Sequence, residues 1–147
     1  MIICLLIIVF LVGSSLGYTF HCDTSIVKND TFVTCTTISD GKIIEIDRMK
    51  NDKFHGLQQS WYKNGQLKRI LNYNEGDLLD TTFSYYESGK LRSIGLDNGR
   101  WFTLSENGDT LSVGNKRNGK SIGTHNAWYE NGNREFTITY NDSGKKD

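Results

Sequence analysis

Three histidines, His21, His55 and His125, are the first residues to weigh for catalysis or metal binding. An imidazole does either only beside a nucleophile, a carboxylate or further ligands. The chain holds no G-x-S-x-G, no H-E-x-x-H, no Walker-type loop and no spaced carboxylate dyad. His55 precedes Gly56 and His125 lies two residues after Gly123, so both are expected at solvent-exposed strand ends. His21-Cys22 with Cys35 offers three soft ligands at most and no C-x-x-C spacing, which argues against zinc. Glu45 with Asp47, and Asp77 with Asp80, read as polar-face residues, and Lys116, Arg117 and Lys120 as a solvated turn around Asn118-Gly119. No catalytic residue, metal or cofactor is expected, and the chain reads as a non-enzyme.

The side chains best suited to a functional role are aromatic pairs: Trp61-Tyr62, Tyr85-Tyr86 and Trp128-Tyr129. In a sheet, neighbouring residues point to opposite faces. If Trp61, Tyr85 and Trp128 form a packed row, then Tyr62, Tyr86 and Tyr129 form an exposed stripe on the other face, and such a stripe suits a protein partner or a glycan. Core packing of both rows is the competing account.

Those pairs sit in a chain of 147 residues with 15 glycines, no proline and a single alanine, Ala127. A helical bundle is excluded by that composition, and a disordered tail by its aromatic content. Lys+Arg and Asp+Glu both number 17, so no electrostatic case exists for a nucleic-acid partner. Turn-type residues recur at Gly41, Asn51-Asp52, Gly65, Gly76, Gly89, Gly99, Gly108, Gly119, Gly132 and Gly144, with early steps alternating between 11 and 13 residues. Many are Asn-Gly, and a two-residue hairpin turn with both residues at positive φ is expected there. Between turns, Phe136, Ile138 and Tyr140 alternate with Glu135, Thr137 and Thr139, a period of two. The fold class is all-β, built of consecutive antiparallel hairpins.

Met1 to Val12 is an unbroken apolar run, followed by Gly13-Ser14-Ser15-Leu16-Gly17, which reads as a secretory signal peptide cut after Gly17. An uncleaved leader is the one route by which a membrane would enter. Cleavage removes Cys4 and leaves Cys22 and Cys35, an even count in an exported chain. With Lys28-Asn29 as a two-residue turn, stepping outward places residue 22 opposite 35, so a disulfide is expected in a hairpin over residues 18–41. Asn29-Asp30-Thr31 and Asn141-Asp142-Ser143 match the N-glycosylation sequon at Asn29 and Asn141. The compartment expected is secreted or extracytoplasmic.

Laid out in 24-residue units, the chain repeats G-x3-G-x4-W-Y-x-N-G-x-L: Trp61-Tyr62-Lys63-Asn64-Gly65-Gln66-Leu67, Tyr85-Tyr86-Glu87-Ser88-Gly89-Lys90-Leu91 and Trp128-Tyr129-Glu130-Asn131-Gly132-Asn133-Arg134. With His55-Gly56 and Tyr73-Asn74-Glu75-Gly76, these segments resemble the MORN-type repeat variant of YwqK-family antitoxins over residues 42–147. The resemblance implies hairpins stacked into an elongated, twisted single-layer sheet, a binding or scaffold role toward a protein partner, and no catalytic residues. It also implies a narrower possibility, an antitoxin that neutralises a toxin. One unit departs, because Gly89 to Gly108 is 19 residues and Leu104-Ser105 replaces the aromatic pair. Separately, Asn98 to Gly108 resembles one unit of the choline-binding cell-wall repeats, which implies glycan or cell-wall recognition through aromatics.

Overall fold

The computed structural model describes residues 17–96 and 98–147. The leader expected over residues 1–17 lies outside them, apart from Gly17. The described residues are strands and turns with no helix, as the composition requires.

Two compact units divide the chain between Leu79 and Asp80. The first contains β1 (Tyr18–Val27), β2 (Asp30–Ser39), β3 (Lys42–Lys50), β4 (Lys53–Phe54), β5 (Gly56–Trp61) and β6 (Leu67–Asn74). Its sheet order is β1-β2-β3-β5-β6, with β4 also on β3. β7 (Asp77–Tyr85) begins in the first unit and continues into the second, which holds β8 (Leu91–Leu96), β9 (Gly99–Leu104), β10 (Thr110–Arg117), β11 (Lys120–Trp128) and β12 (Arg134–Tyr140). Each strand of the second unit follows its predecessor in the sheet. Among the described residues the strand pairings are antiparallel, from hairpin to hairpin.

Two kinds of turn alternate, and they account for the 11 and 13 steps. At one end of the strands the turns have two residues, both at positive φ: Lys28-Asn29, Asn51-Asp52, Glu75-Gly76 and Asn118-Gly119. At the other end, Asp40-Gly41 is again a two-residue turn with both residues at positive φ, whereas Gly65, Gly89, Gly108 and Gly132 are each at positive φ without the residue before them. There the Gly N–H donates back three residues, from Gly65 to the Tyr62 carbonyl at 2.9 Å, and Tyr62 N–H donates to the Gln66 carbonyl at 2.8 Å. The same pair of bonds recurs at residues 86–90, 105–109, 129–133 and 141–145. This is a type I turn closed by a glycine bulge. The expectation that Asn-Gly marks a turn with both residues at positive φ therefore fails at Asn64, Asn107 and Asn131. Those asparagines stay at negative φ, and at Asn64 and Asn131 the side chain instead accepts the N–H two residues on, at 2.9 Å.

The unit that departs in sequence keeps this geometry. Ser105 stands where Tyr62, Tyr86 and Tyr129 stand, and its buried hydroxyl accepts from Asn107 and Asp109 N–H at 3.2 and 3.1 Å. The turn has lost an aromatic and gained an internal brace.

The first hairpin pairs as the turn at Lys28-Asn29 dictates. Val27 faces Asp30 and Cys22 faces Cys35, and the two cysteines are bonded with their Cα atoms 4.1 Å apart. Little else is deeply buried. Among the described residues the buried hydrophobic ones are Cys35 and Ala127, and no large side chain is fully enclosed. Stability must therefore come from many half-buried cross-strand pairs rather than from a thick core.

Candidate functional site

The aromatic pairs fall at equivalent places. Trp61, Tyr85 and Trp128 each follow a register shift and face Leu67, Leu91 and Arg134 across their hairpins. Their direct neighbours across the ladder are thus aliphatic or cationic. The three tyrosines do not form a uniformly exposed stripe either. Tyr62 and Tyr86 are half-buried, and only Tyr129 is exposed, at 54%. Tyr86 donates its hydroxyl to the Leu104 carbonyl at 2.6 Å and carries Arg92 over its ring, while Lys68 lies over the ring of Tyr62. A tyrosine reaching the next hairpin ties neighbouring strands together, which is a packing role.

The first unit carries a depression of about 180 Å³, lined by Glu45 and Asp47 of β3, Phe54, Gln58, Gln59 and Ser60 of β4–β5, and Arg69, Leu71 and Tyr73 of β6. Strand alternation places all of these side chains except that of Gln59 on one face, because Glu45 faces Ser60, Ser60 faces Arg69 and Gln58 faces Leu71. Phe54 and Tyr73 pack with ring centroids 5.3 Å apart. Burial pushes the Asp47 carboxyl above the usual carboxylate range. Two carboxylates and the Arg69 guanidinium beside two aromatic rings leave one negative charge in excess, which suits a cationic or amide-bearing side chain. Glu45 and Asp47, read from the sequence as ordinary polar-face residues, are thereby drawn into a concave patch that combines charge with aromatic walls.

This depression is shaped by a break in the ladder. Between the pairs Ile46↔Gln59 and Met49↔Phe54, two residues of β3 oppose four, His55 to Gln58. Gly56 takes φ 83° to make the bulge. The Gln58 side chain then fills the gap as a peptide group would. Its Oε1 accepts Arg48 N–H at 2.6 Å, and its Nε2 donates to the Arg48 carbonyl at 2.8 Å and to the Gly56 carbonyl at 3.2 Å. Gln58 is accordingly buried, although polar.

A similar break recurs in the second unit, between Val113↔Asn126 and Asn115↔Ile122, where Gly114 alone opposes three residues, Gly123 to His125. Gly123 makes the bulge at φ 65°, and His125 occupies the place of Gln58. Its Nε2 lies 3.0 Å from the Asn115 carbonyl and 3.3 Å from Asn115 N–H, so one tautomer donates and the other accepts. His125 is 6% exposed, in the middle of β11 between Trp101 and Tyr140, with centroids at 5.5 and 4.8 Å. The expected solvent-exposed strand end is wrong for His125, because Gly123 is a bulge within a strand rather than a turn. His55 is half-buried, against the edge of Phe32 at 6.2 Å. Trp101, in the segment that resembles a choline-binding repeat, is turned toward His125 with its indole N–H buried and unpartnered, so it does not line an open cage.

Among the described residues no group of three or more His, Cys, Asp or Glu could hold a metal ion. Asn29 stands exposed in its turn, whereas Asn141 Oδ1 already accepts Ser143 N–H, Ser143 Oγ and Lys145 N–H at 3.1, 2.7 and 3.0 Å.

Residues 54–75 and 81–96 match the family model of the MORN repeat variant. The first match spans β4 to β6 and so contributes most of the depression, including Phe54, Gln58, Arg69, Leu71 and Tyr73. MORN repeats are in general protein- or membrane-binding modules. No curated protein matches the chain.

Proposed function

We propose that the chain is an extracytoplasmic, non-enzymatic protein-binding or scaffold module, and that the Glu45–Asp47–Phe54–Tyr73 face of its first unit is the contact surface. The observation that carries the reading is the depression in which two carboxylates, Glu45 and Asp47, border a packed aromatic pair, Phe54 and Tyr73, that lies within a matched MORN repeat. Burying such a patch under a partner's cationic, partly apolar segment would remove apolar surface from water and neutralise both acids. The apolar run at Met1–Val12 and the Cys22–Cys35 bond support a location outside the cytoplasm. Neutralisation of a toxin, as YwqK-family antitoxins imply, is the narrower form of the same reading, and it requires a toxin that meets the chain outside the cytoplasm.

The test is quantitative affinity capture from the medium or envelope of the source cells. The wild-type chain is compared with Glu45→Gln/Asp47→Asn and with Phe54→Ser/Tyr73→Ser, each first checked for native circular dichroism. A partner recovered with the wild type and depleted about tenfold or more by both variants supports the surface. Equal recovery with all three rejects it, and turnover of any substrate that depends on His55 or His125 rejects the non-enzymatic role.

A further inference from the structure

The outer edge of β1 is built for strand addition, and we propose that it pairs antiparallel with β1 of a second copy of this chain. Among the described residues β1 is an end strand of its sheet order. Exposed edges are normally blunted by lysine, proline, bulges or short length. β1 is ten residues long, contains neither Lys nor Pro, and pairs with β2 without a register shift. Four of its side chains, Tyr18, Phe20, Ile26 and Val27, are large, apolar and 41, 43, 47 and 50% exposed.

The hairpin geometry decides which backbone groups are open. A two-residue turn closes on a hydrogen-bonded pair, Val27↔Asp30, and pairs then alternate along the ladder. Cys22↔Cys35 is by that count a non-hydrogen-bonded pair, as its 4.1 Å Cα separation also indicates. The N–H and C=O groups of Tyr18, Phe20, Cys22, Thr24 and Ile26 therefore point away from β2. An antiparallel copy can bond them only with the same set, which leaves registers centred on an even or odd residue of this strand.

Charge selects among those registers. Centring on Cys22 places Phe20 against Thr24, Tyr18 against Ile26, and His21 against Asp23 of the other copy, at non-hydrogen-bonded sites where side chains approach closest. Within one chain His21 Nε2 already lies 3.2 Å from Asp23 Oδ1, so the two-fold pairing joins these groups into a four-membered cluster. Centring on Asp23 instead sets two carboxylates face to face, and centring on His21 sets two imidazoles face to face; both lose the complementary pairs. The chosen register forms about ten backbone hydrogen bonds and covers Tyr18, Phe20 and Ile26 with their counterparts.

Sedimentation equilibrium of the oxidised full chain over a range of concentrations tests the proposal. A reversible monomer–dimer equilibrium is expected. Thr24→Pro removes an outward N–H while leaving the β1–β2 ladder intact, and should weaken the dimer about tenfold or more. Asp23→Lys should weaken it, and the exchange His21→Asp/Asp23→His should restore it. A chain that stays monomeric throughout, or self-association indifferent to Thr24→Pro, overturns the proposal. Dimers weakened by Thr24→Pro and unchanged by Asp23→Lys overturn the register.

Discussion

Replacing Gln58 by leucine should cost far more than its place in a thin sheet suggests. Leucine keeps the volume and removes both halves of the surrogate peptide. Arg48 N–H then has no partner in the gap, because it is bonded to Gln58 Oε1 at 2.6 Å, while the Arg48 carbonyl keeps the His55 N–H at 2.9 Å. One part-buried amide left unsatisfied costs about 1–3 kcal/mol, and the two lost carbonyl contacts add about 0.5–1 kcal/mol between them. The expected loss is about 2–3 kcal/mol, or a fall of roughly 5–10 °C in the melting midpoint for a domain of this size. Thermal denaturation followed by circular dichroism gives the midpoint, and hydrogen exchange of the Arg48 amide localises the effect. Gln58→Glu keeps the acceptor and loses the donor, so its defect should shrink at acid pH, where a protonated carboxyl donates again. Gln59→Leu, on the other face of the same strand, is the control: it loses a 3.4 Å contact with the Arg48 guanidinium and leaves the Arg48 N–H bonded to Gln58. If Gln58→Leu and Gln59→Leu shift the midpoint equally and Arg48 exchange is unchanged, the surrogate-peptide argument is refuted.

In the second unit, Gly114→Ala would place a methyl 2.7 Å from the His125 ring; a loss of about 1–3 kcal/mol in urea unfolding is expected, and most of it should vanish in the His125→Ser background. Cys22→Ser/Cys35→Ser should lower stability by about 3 kcal/mol on the chain-entropy account, as should reduction of the wild type, measured by denaturant unfolding with and without reductant. Asp30 is held below the usual carboxylate range first by the Asn51 side chain and then by Lys50, at 2.8 and 3.1 Å. A depressed folded pKa means stability that is present above the unfolded value near 3.8 and lost as pH falls through the folded one. Carboxyl-detected NMR should accordingly find Asp30 titrating below 3.8, with Asn51→Ala moving it upward more than Lys50→Met.

Much of the architecture was legible because turn chemistry and strand period act locally. Lys28-Asn29 set the register that brought Cys22 to Cys35, and the glycine steps marked each reversal. The two turn types were not separated, since Asn-Gly suits both; the two extra residues in every 13-residue step were the signal that one class is longer. His125 was misplaced because a bulge glycine and a turn glycine look alike in sequence. The clue lay in the pairing of Gly56 with Gln58 and Gly123 with His125, each two residues apart at the same repeat position. The candidate surface was the least legible part. Glu45, Phe54, Arg69 and Tyr73 come from three different segments, and only the register of β3, β5 and β6 reveals that they share a face.

The ladder gap also limits how freely these repeats can be recombined. His125 fits only because the strand before it offers Gly114, whereas Gln58 sits beside Asp47 at the matching position. Each strand thus carries half of a fitting whose other half belongs to its predecessor. A duplication or graft that cuts between them would join a ring to a side chain it cannot clear, or leave an amide facing an unfilled gap. The interchangeable module is the pair of strands that shares a gap, and viable copy-number variants should have their junctions at the glycine-bulge turns, such as those at Gly65 and Gly108, that lie outside it.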